Sequence, residues 1–416
     1  MIAFAQMNLR HLDAVAQAAR LGSISAASQA MNLSQPALTQ AVAKVEAQLG
    51  HALFDRQPGG VSPTEAGRLM TARIERALSY VARGGHRVRR GARLPPLPRV
   101  ERRITLGQLR ALIAVDEAGS FALASTRTGM SQPALHRAAR ELEQLLGVPL
   151  LTRQGRTVQP TRAAVRLLRF ARLARAELQA GVDELEALRN QGAGRVTVGT
   201  MPLARAILLP QTLARFARAY PGASVNVVEG PYLEMLGALR QGDLDLLVGA
   251  MRDPLPVGDV VQAPLFLDDA VIVGRAGHPL RAEPGFAFER LLDFPWVIAA
   301  AGAPVRARWE RMFVDRGLEP PRLRIECGSV LVLRGLMLED DWLTLMSRDQ
   351  FLFEQRAGLL AEIAGAGETL RRSIGLTHRD DWHPTQLQSA FVALFREVCA
   401  DWTSGKAMES QPFRYA

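Results

Sequence analysis

Two sets of side chains along this sequence carry the hydrogen-bonding chemistry of nucleobase edges. Gln35, Thr39, Gln40 and Lys44 form one set; Gln132, His136, Arg137 and Glu141, with Arg140 adjacent, form the other. Glutamine presents a donor and an acceptor that pair with adenine, and arginine presents a two-pronged donor that pairs with guanine. Pro36 and Pro133 supply apolar contacts suited to a thymine methyl. Arg56 and Arg153 follow the two sets at the same interval and suit backbone phosphate. The sets are copies of one another. Ser34-Gln35-Pro36-Ala37-Leu38 returns unchanged 97 residues later as Ser131-Gln132-Pro133-Ala134-Leu135. Sliding residues 8–67 onto 105–164 without a gap leaves about 22 of 60 positions identical, against about 4 expected from ordinary composition.

The elements that must position these side chains are legible around them. Asn8 can cap a helix whose apolar residues Leu9, Leu12, Val15, Ala16 and Ala19 recur at helical spacing, and Gly22 ends it. Ser23 can cap a second short helix through Ile24, Ala27 and Ala30, with Asn32-Leu33 as the turn. Ser34 then caps a third helix with Pro36 in its first turn, where a missing N–H costs little. Leu38, Val42, Val45 and Leu49 give that helix an apolar stripe, and Gly50 closes it. Two helices joined by a tight turn, the second with polar residues near its start, fit a major groove. After each third helix a short segment ending in Pro-Thr reads as a two-stranded wing, with Thr64 or Thr161 capping the next helix. A solvated helix face would carry similar polar residues, so helical spacing alone does not decide for DNA.

Charge sharpens the reading. The net charge of +10 is uneven: residues 1–190 hold 27 Lys+Arg against 14 Asp+Glu, and the remainder hold 24 against 27. Such asymmetry suggests a polyanion-binding half joined to a half with another task. Lysine occurs only at Lys44 and Lys406, which a G+C-rich genome also explains. Cys327 and Cys399 give no disulfide framework and fit a reducing cytoplasm. No signal peptide and no apolar run of about 20 residues stands out, so the expected place is the cytoplasm, with no membrane partner.

The ordered set Ala26-Ala27-Ser28, Ser34-Gln35-Pro36-Ala37, Val45-Glu46-Ala47-Gln48-Leu49-Gly50, Leu53-Phe54-Asp55-Arg56 and Thr64-Glu65-Ala66-Gly67 resembles the winged helix-turn-helix of LysR-type transcriptional regulators. In the second copy Leu123-Ala124-Ser125 replaces the double alanine, Leu151 replaces Phe54, and Ala164 stands for the family glycine. His136 stands where the family usually has a small hydroxyl residue. A duplicated unit is itself a departure, because such regulators normally carry one. The resemblance implies a DNA-facing set of Ser34, Gln35, Pro36, Thr39, Gln40, Lys44, Arg56 and Thr64, matched by Ser131, Gln132, Pro133, His136, Arg137, Arg140, Arg153 and Thr161.

Residues 161–189 read as one long helix, with Leu167, Ala171, Ala174, Leu178, Val182, Leu185 and Leu188 at spacings of three and four. By resemblance it is the family's dimerising helix, pairing with its twin as a coiled coil; packing onto its own domain is the alternative. A similar helix begins at Thr64, but Gly84-Gly85 is expected to cut it short. The following segment, with Arg87, Arg89, Arg90, Arg93, Arg99, Arg102 and Arg103 among Pro95, Pro96 and Pro98, reads as a flexible or polyproline-like tether that is solvated or touches phosphate.

From Arg195 short β runs alternate with helices, which implies a mostly parallel sheet with helices on both faces. Expected strands are 196–199, 225–228, 244–248, 270–273, 296–299, 323–327, 343–346 and 373–376, with a last helix over 385–400. Gly194–Gly199, Leu209-Pro210, Tyr220-Pro221, Gly242-Asp243-Leu244-Asp245 and His278-Pro279-Leu280 resemble the family's effector-binding domain, a two-lobed fold of the type 2 periplasmic-binding-protein kind. Lobe I would hold about 195–270 plus 377–400, and lobe II about 275–370. Ligands of such sheets bind where strand ends meet helix starts, which points to Thr200, Met201, Gly249-Ala250, Ala301-Gly302 and Gly328-Ser329. Thr200 and Ser329 are placed at helix starts that favour an anion, unless they merely cap; Arg205 and Arg306 could neutralise it or be surface charges.

No phosphate loop, His-Glu-x-x-His or Gly-x-Ser-x-Gly is present, so no enzyme motif competes and no cofactor is expected. His378, Asp380 and His383 are loosely spaced metal-type residues that a polar loop explains. Cys327 suits a redox role or a buried strand end, and Asp340-Asp341 a solvated turn. The expected organisation is a first winged helix-turn-helix over 7–66, a truncated helix and linker over 67–104, and a second unit over 105–163. A dimerising helix over 164–190, an effector-binding domain over 194–400 and a disordered tail over 401–416 complete it. The implied partners are double-stranded DNA, a small anionic effector, further copies of the chain as dimer or tetramer, and RNA polymerase. The second unit, with Arg137 and Arg140 against Gln40 and Ala43, is expected to contribute more affinity. Two other readings stand beside this one: an effector-independent DNA-binding protein, and a solute-binding α/β protein with incidental helical units.

Overall fold

The capping residues set the boundaries of the first elements. In the computed structural model, which describes residues 7–155, 157–190, 192–201, 207–365 and 371–404, Asn8 caps α1 (Leu9–Leu21) and Ser23 caps α2 (Ile24–Met31). Ser34 caps α3 (Gln35–Leu49), with Pro36 in its first turn and a left-handed Gly50 closing it. The hairpin β1 (Phe54–Gln57) and β2 (Gly60–Pro63) leads into α4 (Glu65–Gly91). A 3₁₀ turn at Val100–Arg102 precedes the second copy: α5 (Leu106–Ala118), α6 (Phe121–Thr128), α7 (Gln132–Leu146), β3 (Leu151–Gln154), β4 (Thr157–Pro160) and α8 (Arg162–Arg189). Each three-helix unit has its own small core, Ala14, Ala27 and Leu38 in the first and Ala111, Ala124 and Leu135 in the second. Each hairpin is fastened identically, Val61 N–H donating to the Gly22 carbonyl and Val158 N–H to the Gly119 carbonyl, at 2.9 and 2.8 Å.

The region between the units departs from the sequence expectation. α4 does not stop at Gly84-Gly85 but runs to Gly91, so 67–104 is neither a truncated helix nor a loose tether. Both glycines are buried where other elements press on the helix. A Cβ on Gly84 would come within 2.9 Å of Phe170 Cβ, and one on Gly85 within 2.8 Å of Val100 Cγ2. Glycine costs a helix about 1 kcal/mol relative to alanine, and here that cost is offset by close packing. The Arg/Pro segment is also tied down. Val100 and Ile104 are fully buried, Leu94 and Leu97 pack on the same core, and Arg102 pairs with Asp13 of α1 at 2.7 Å. The stripe of α8 is covered by α4 of the same chain, running antiparallel. One continuous core therefore reaches from Leu12 and Leu49 through Ile74 and Leu167 to Leu109 and Leu142, joining the two units and both long helices into one body.

The C-terminal half has two lobes built on one sheet. β5 (Gly194–Thr200), α9 (Leu208–Ala219), β6 (Ala223–Glu229), α10 (Tyr232–Gln241) and β7 (Leu246–Ala250) form lobe I, with β5 central and parallel to both neighbours. β8 (Val260–Arg275) is a single long strand. Its first part pairs antiparallel with β13 (Arg371–Arg379) in lobe I. Its last part pairs in lobe II with β11 (Thr344–Ser347) and β12 (Leu360–Gly365). Lobe II also holds β9 (Val297–Ile298), α11 (Pro304–Val314), β10 (Ile325–Glu326), α12 (Val330–Glu339) and the short α13 (Leu352–Arg356). α14 (Gln386–Thr403) returns to lobe I, where Phe391 and Phe395 pack with Phe216; Trp296, Trp309 and Phe313 fill lobe II. The sequence reading missed β12 and the first half of β8. Residues 401–403, expected in a disordered tail, end α14; the rest of that tail, 405–416, lies outside the described residues. No helix among the described residues is long and apolar enough to cross a membrane.

Lobe I rests on α8 through charge and hydrogen bonds. Arg169 pairs with Asp259, Arg172 donates to Gln241 Oε1 at 2.6 Å, and Arg175 donates to Asp243 at 2.8 Å. The same α8 residues reach back to the second unit, Arg172 to Asp116 at 2.6 Å and Arg175 to Glu117 at 3.4 Å. One row of arginines thus touches both halves of the protein.

Candidate nucleic-acid interface and interlobe cleft

The third helix of each unit is held by a half-buried carboxylate to which the sequence reading gave no role. Glu46 accepts from the N–H groups of Leu53 and Phe54 at 2.7 and 3.3 Å, and Glu143 from those of Leu150 and Leu151 at 2.7 and 3.0 Å. These bonds fix α3 and α7 against their hairpins. Ser34 and Ser131 cap them, each accepting one backbone N–H at 3.3 Å. Gln35, Pro36, Gln40 and Lys44 on α3 are exposed along one side, as are Gln132, Pro133, His136, Arg137 and Arg140 on α7. No carboxylate partner is recorded for Lys44, Arg137 or Arg140 among the described residues, so these cations are uncommitted. Arg56 and Arg153 stand exposed on the hairpins, Arg153 donating to the Gly155 carbonyl at 3.2 Å.

Four expected contacts change character. Thr64 and Thr161 are caps in full use: each accepts a helix N–H and donates to a carbonyl, Ala52 and Pro149 respectively, at 2.8 and 2.9 Å. Thr39 is half-buried and donates to the Gln35 carbonyl at 3.0 Å. His136 lies flat on Phe121, ring centroids 3.6 Å apart at 18°. The matching places in the first unit hold Thr39 and Ile24, beside a surface groove also lined by Gln35, Phe54 and Arg56. The two candidate surfaces therefore differ in shape as well as charge.

The candidate effector residues gather in two groups, one on each lobe. On lobe I, Met201 N–H donates to the Val248 carbonyl, and the Met201 side chain covers Gly249, whose Cβ would fall 2.0 Å from Met201 Cε. Thr200 ends β5, is fully buried, and donates its hydroxyl to the Met201 carbonyl at 3.2 Å; α9 begins at Leu208, and residues 202–206 lie outside the described residues. On lobe II, the parallel pair β9–β10 brings Ala301-Gly302 and Gly328-Ser329 to neighbouring strand ends. Ser329 is the N-cap of α12, yet its exposed side chain makes no capping bond. Its N–H donates to Cys327 Sγ at 3.4 Å.

Of the two arginines expected at the cleft, one falls within the described residues. Arg205 lies outside the described residues, and Arg306 is committed to Glu310 and Glu326 at 2.6 and 2.9 Å. Instead Arg252 after β7, Arg308 in α11 and Arg372 in β13 converge from both lobes. Burial lowers the pKa of Arg252, and Arg372 lowers it further; burial likewise lowers Arg308, with Arg372 and Arg252 adding to it. Arg372 is neutralised by Asp268 at 2.7 Å and donates to Ser347 Oγ at 2.6 Å. Arg252 lies 4.5 Å over the Tyr232 ring. Three partly desolvated guanidinium groups sharing one carboxylate have charge left to satisfy. The sequence gives no sign of this trio, because its members lie far apart along the chain.

Comparison with known proteins agrees with this layout. The family model described as LysR substrate binding domain matches residues 189–400, and that described as bacterial regulatory helix-turn-helix protein, lysR family, matches twice, at 9–68 and 106–165. The HTH-type transcriptional regulator GalR of Pseudomonas putida is 30% identical over 394 residues, covering 95% of this chain and 98% of GalR. PcaQ of Agrobacterium fabrum is 27% identical over 307 residues, 74% of this chain and 99% of PcaQ. Among solved structures, full-length OxyR from Pseudomonas aeruginosa superimposes with a TM-score of 0.53 at 20% identity, over 71% of this chain and 97% of its own. CbnR, a LysR family transcriptional regulator, gives 0.51 at 21%, over 71% and 99%. The helical units, the two-lobed domain and the relatives together place this chain in the LysR family of transcriptional regulators, not among enzymes.

Proposed function

We propose that both helix-turn-helix units read double-stranded DNA and that a small anion bound between the lobes governs how they are presented. The convergence of Arg252, Arg308 and Arg372 is the observation that supports an anionic effector. Arg252 belongs to lobe I and Arg308 to lobe II, so an anion touching both gains more from the closed arrangement than from the open one. That differential affinity is what a ligand needs to shift a population. Ser329, with its free hydroxyl, and the exposed Ala301-Gly302 turn complete the lobe II side, and Met201 with Gly249 the lobe I floor. The α8 arginines carry the consequence toward the second unit, because they contact Asp259, Gln241 and Asp243 on one side and Asp116 and Glu117 on the other. Contacts with further copies of the chain and with RNA polymerase are part of the reading through the family alone.

A panel of small mono- and dicarboxylates, screened by thermal melting of the full chain, tests the anion. At about 100 times its Kd a ligand that binds only the folded state stabilises by about 2.7 kcal/mol, a readily visible shift. Arg308→Ala is expected to abolish the shift while leaving the ligand-free melting temperature nearly unchanged. A wild-type chain that responds to no anion would favour the effector-independent regulator. The reading as a solute-binding protein with incidental helical units does not survive the family membership.

On the DNA side, Arg137→Ala is expected to weaken operator binding by about 1–3 kcal/mol, and more than Gln40→Ala does. Measured by titration at fixed salt, the opposite ranking would reverse the assignment of the second unit as the tighter head.

A further inference from the structure

The offset of 97 residues that superimposes the two units also governs the seam between α4 and α8. Gly84 and Gly181 are equivalent under it, and so are the residues they touch. A Cβ on Gly84 would meet Phe170 and Leu167; one on Gly181 would meet Arg73 and Met70. The two long helices therefore cross about a quasi-twofold axis. The ends are tied crosswise as well, by residues that the 97-residue offset does not match. Arg89 of α4 donates to the Leu146 carbonyl at the close of α7, at 3.0 Å, and Arg189 of α8 donates to the Gly50 carbonyl at the close of α3, at 2.6 Å. Each long helix thus finishes on the reading helix of the other unit.

One trio breaks the symmetry. Arg73 bonds Glu177 at 3.0 Å and Glu184 at 3.0 Å in the buried seam. The residues 97 positions away from these three are Phe170, Tyr80 and Arg87. They too meet, Phe170 lying 6.5 Å from the Tyr80 ring and 6.0 Å from the Arg87 guanidinium. Pairing unlike helices matches carboxylates with Arg73 at one end and rings with rings at the other. Pairing α4 with its twin in the same geometry would set Arg73 against Tyr80 and Arg87, a like-charge contact, at both ends. Pairing α8 with its twin would set Phe170 against Glu177 and Glu184 at both ends, leaving buried carboxylates without a cation. Such mismatches are the means by which a helix pair selects one partner over another.

We infer that the seam is built to join unlike helices, so that a single chain is a complete two-headed DNA reader whose operator is a pair of unlike half-sites in fixed orientation. The inference rests on both units reading DNA. The reading surfaces already differ: Arg137, Arg140 and the His136–Phe121 stack in one, Gln40, Ala43 and the groove beside Thr39 in the other. A homodimer through twin helices would instead present identical heads and select an inverted repeat.

The test is enrichment of the full chain on a pool of random duplexes, followed by titration of the shortest enriched duplex. The expected result is two different motifs at one spacing, with saturation at one duplex per chain. Replacing either motif by an inverted copy of the other should weaken binding at least about tenfold. The double substitution Gln40→Arg with Ala43→Arg should change one selected motif and leave the other intact. Enrichment of an inverted repeat of one motif, or saturation at one duplex per two chains, would overturn the inference. Enrichment of a single half-site untouched by the Gln40 and Ala43 changes would overturn the two-headed reading beneath it.

Discussion

Arg73→Ala is expected to destabilise the DNA-binding half by about 3–5 kcal/mol, the range seen when one member of a buried ion pair is removed. Arg73 is 3% exposed and lies in the seam between the long helices. Burial alone would lower its pKa, and the bonds to Glu184 and Glu177 outweigh that, so it ends above the ordinary arginine value. Its Nη1 also donates to the His383 carbonyl at 2.8 Å, so the same side chain ties the effector-binding domain to the seam. Alanine would leave Glu177 and Glu184 facing each other, with only Arg76 still bonded to Glu177 at 2.8 Å. Because one body of core joins the two units, the loss should lower a single melting transition, by roughly 2–4 °C per kcal/mol for about 200 residues. A fall of under about 2 °C would mean that the network contributes little. Converting the trio to apolar residues together should cost far less than Arg73→Ala, since buried ion pairs exchange for packed apolar groups at little net loss. The seam already contains that alternative at its other end, in Phe170 and Tyr80.

The helical units were readable because their determinants are local. Ser34, Pro36 and Gly50 each act within one turn of their own position, and the repeat at Ser131, Pro133 and Gly147 doubled the signal. The periodic stripe of α8 announced that a partner exists, but a stripe does not say which helix covers it. Gly84-Gly85 misled for a physical reason: isolated glycines lower helix propensity, and only the arrival of Phe170 and Val100 reveals why no larger residue fits. Thr200 followed a general rule about strand ends, which cannot tell that its side chain is buried and its hydroxyl spent on the Met201 carbonyl. The arginines of the cleft were invisible for a different reason. Arg252, Arg308 and Arg372 belong to a loop, a helix and a strand that only the two-lobed topology brings together, while Arg306, two residues before Arg308, is consumed by Glu310 and Glu326.

Asp349→Asn is expected to raise the stability of the effector-binding domain at pH 8, to raise it less at pH 5, and to leave it nearly unchanged below about pH 4. Asp349 is 6% exposed, beside β11 at the junction of the lobes, and its carboxyl is pushed up to about 7, by burial first and then by the nearby Asp268. In the unfolded chain an aspartate titrates near 3.9. The folded state therefore holds a proton that the unfolded state releases between about pH 4 and 7. The stabilisation that this proton represents is complete below about pH 4 and is lost as the pH rises through 7. With about three units between the two values, the loss by pH 8 is on the order of 4 kcal/mol, an upper bound if the site relaxes on ionising. Asparagine cannot ionise and keeps the buried site neutral at every pH. Melting curves from about pH 4 to 8 should thus converge at the acid end and separate at the alkaline end, with the variant higher. Parallel curves would mean that Asp349 is ionised throughout. The junction gives this titration a consequence beyond stability. Asp268 already serves Arg372 and accepts from the Ser347 hydroxyl at 2.6 Å, so a second negative charge at Asp349 competes for the cation that faces the cleft. Asp349→Asn should for that reason strengthen anion binding at pH 8 more than at pH 5, in the same melting series with carboxylate present.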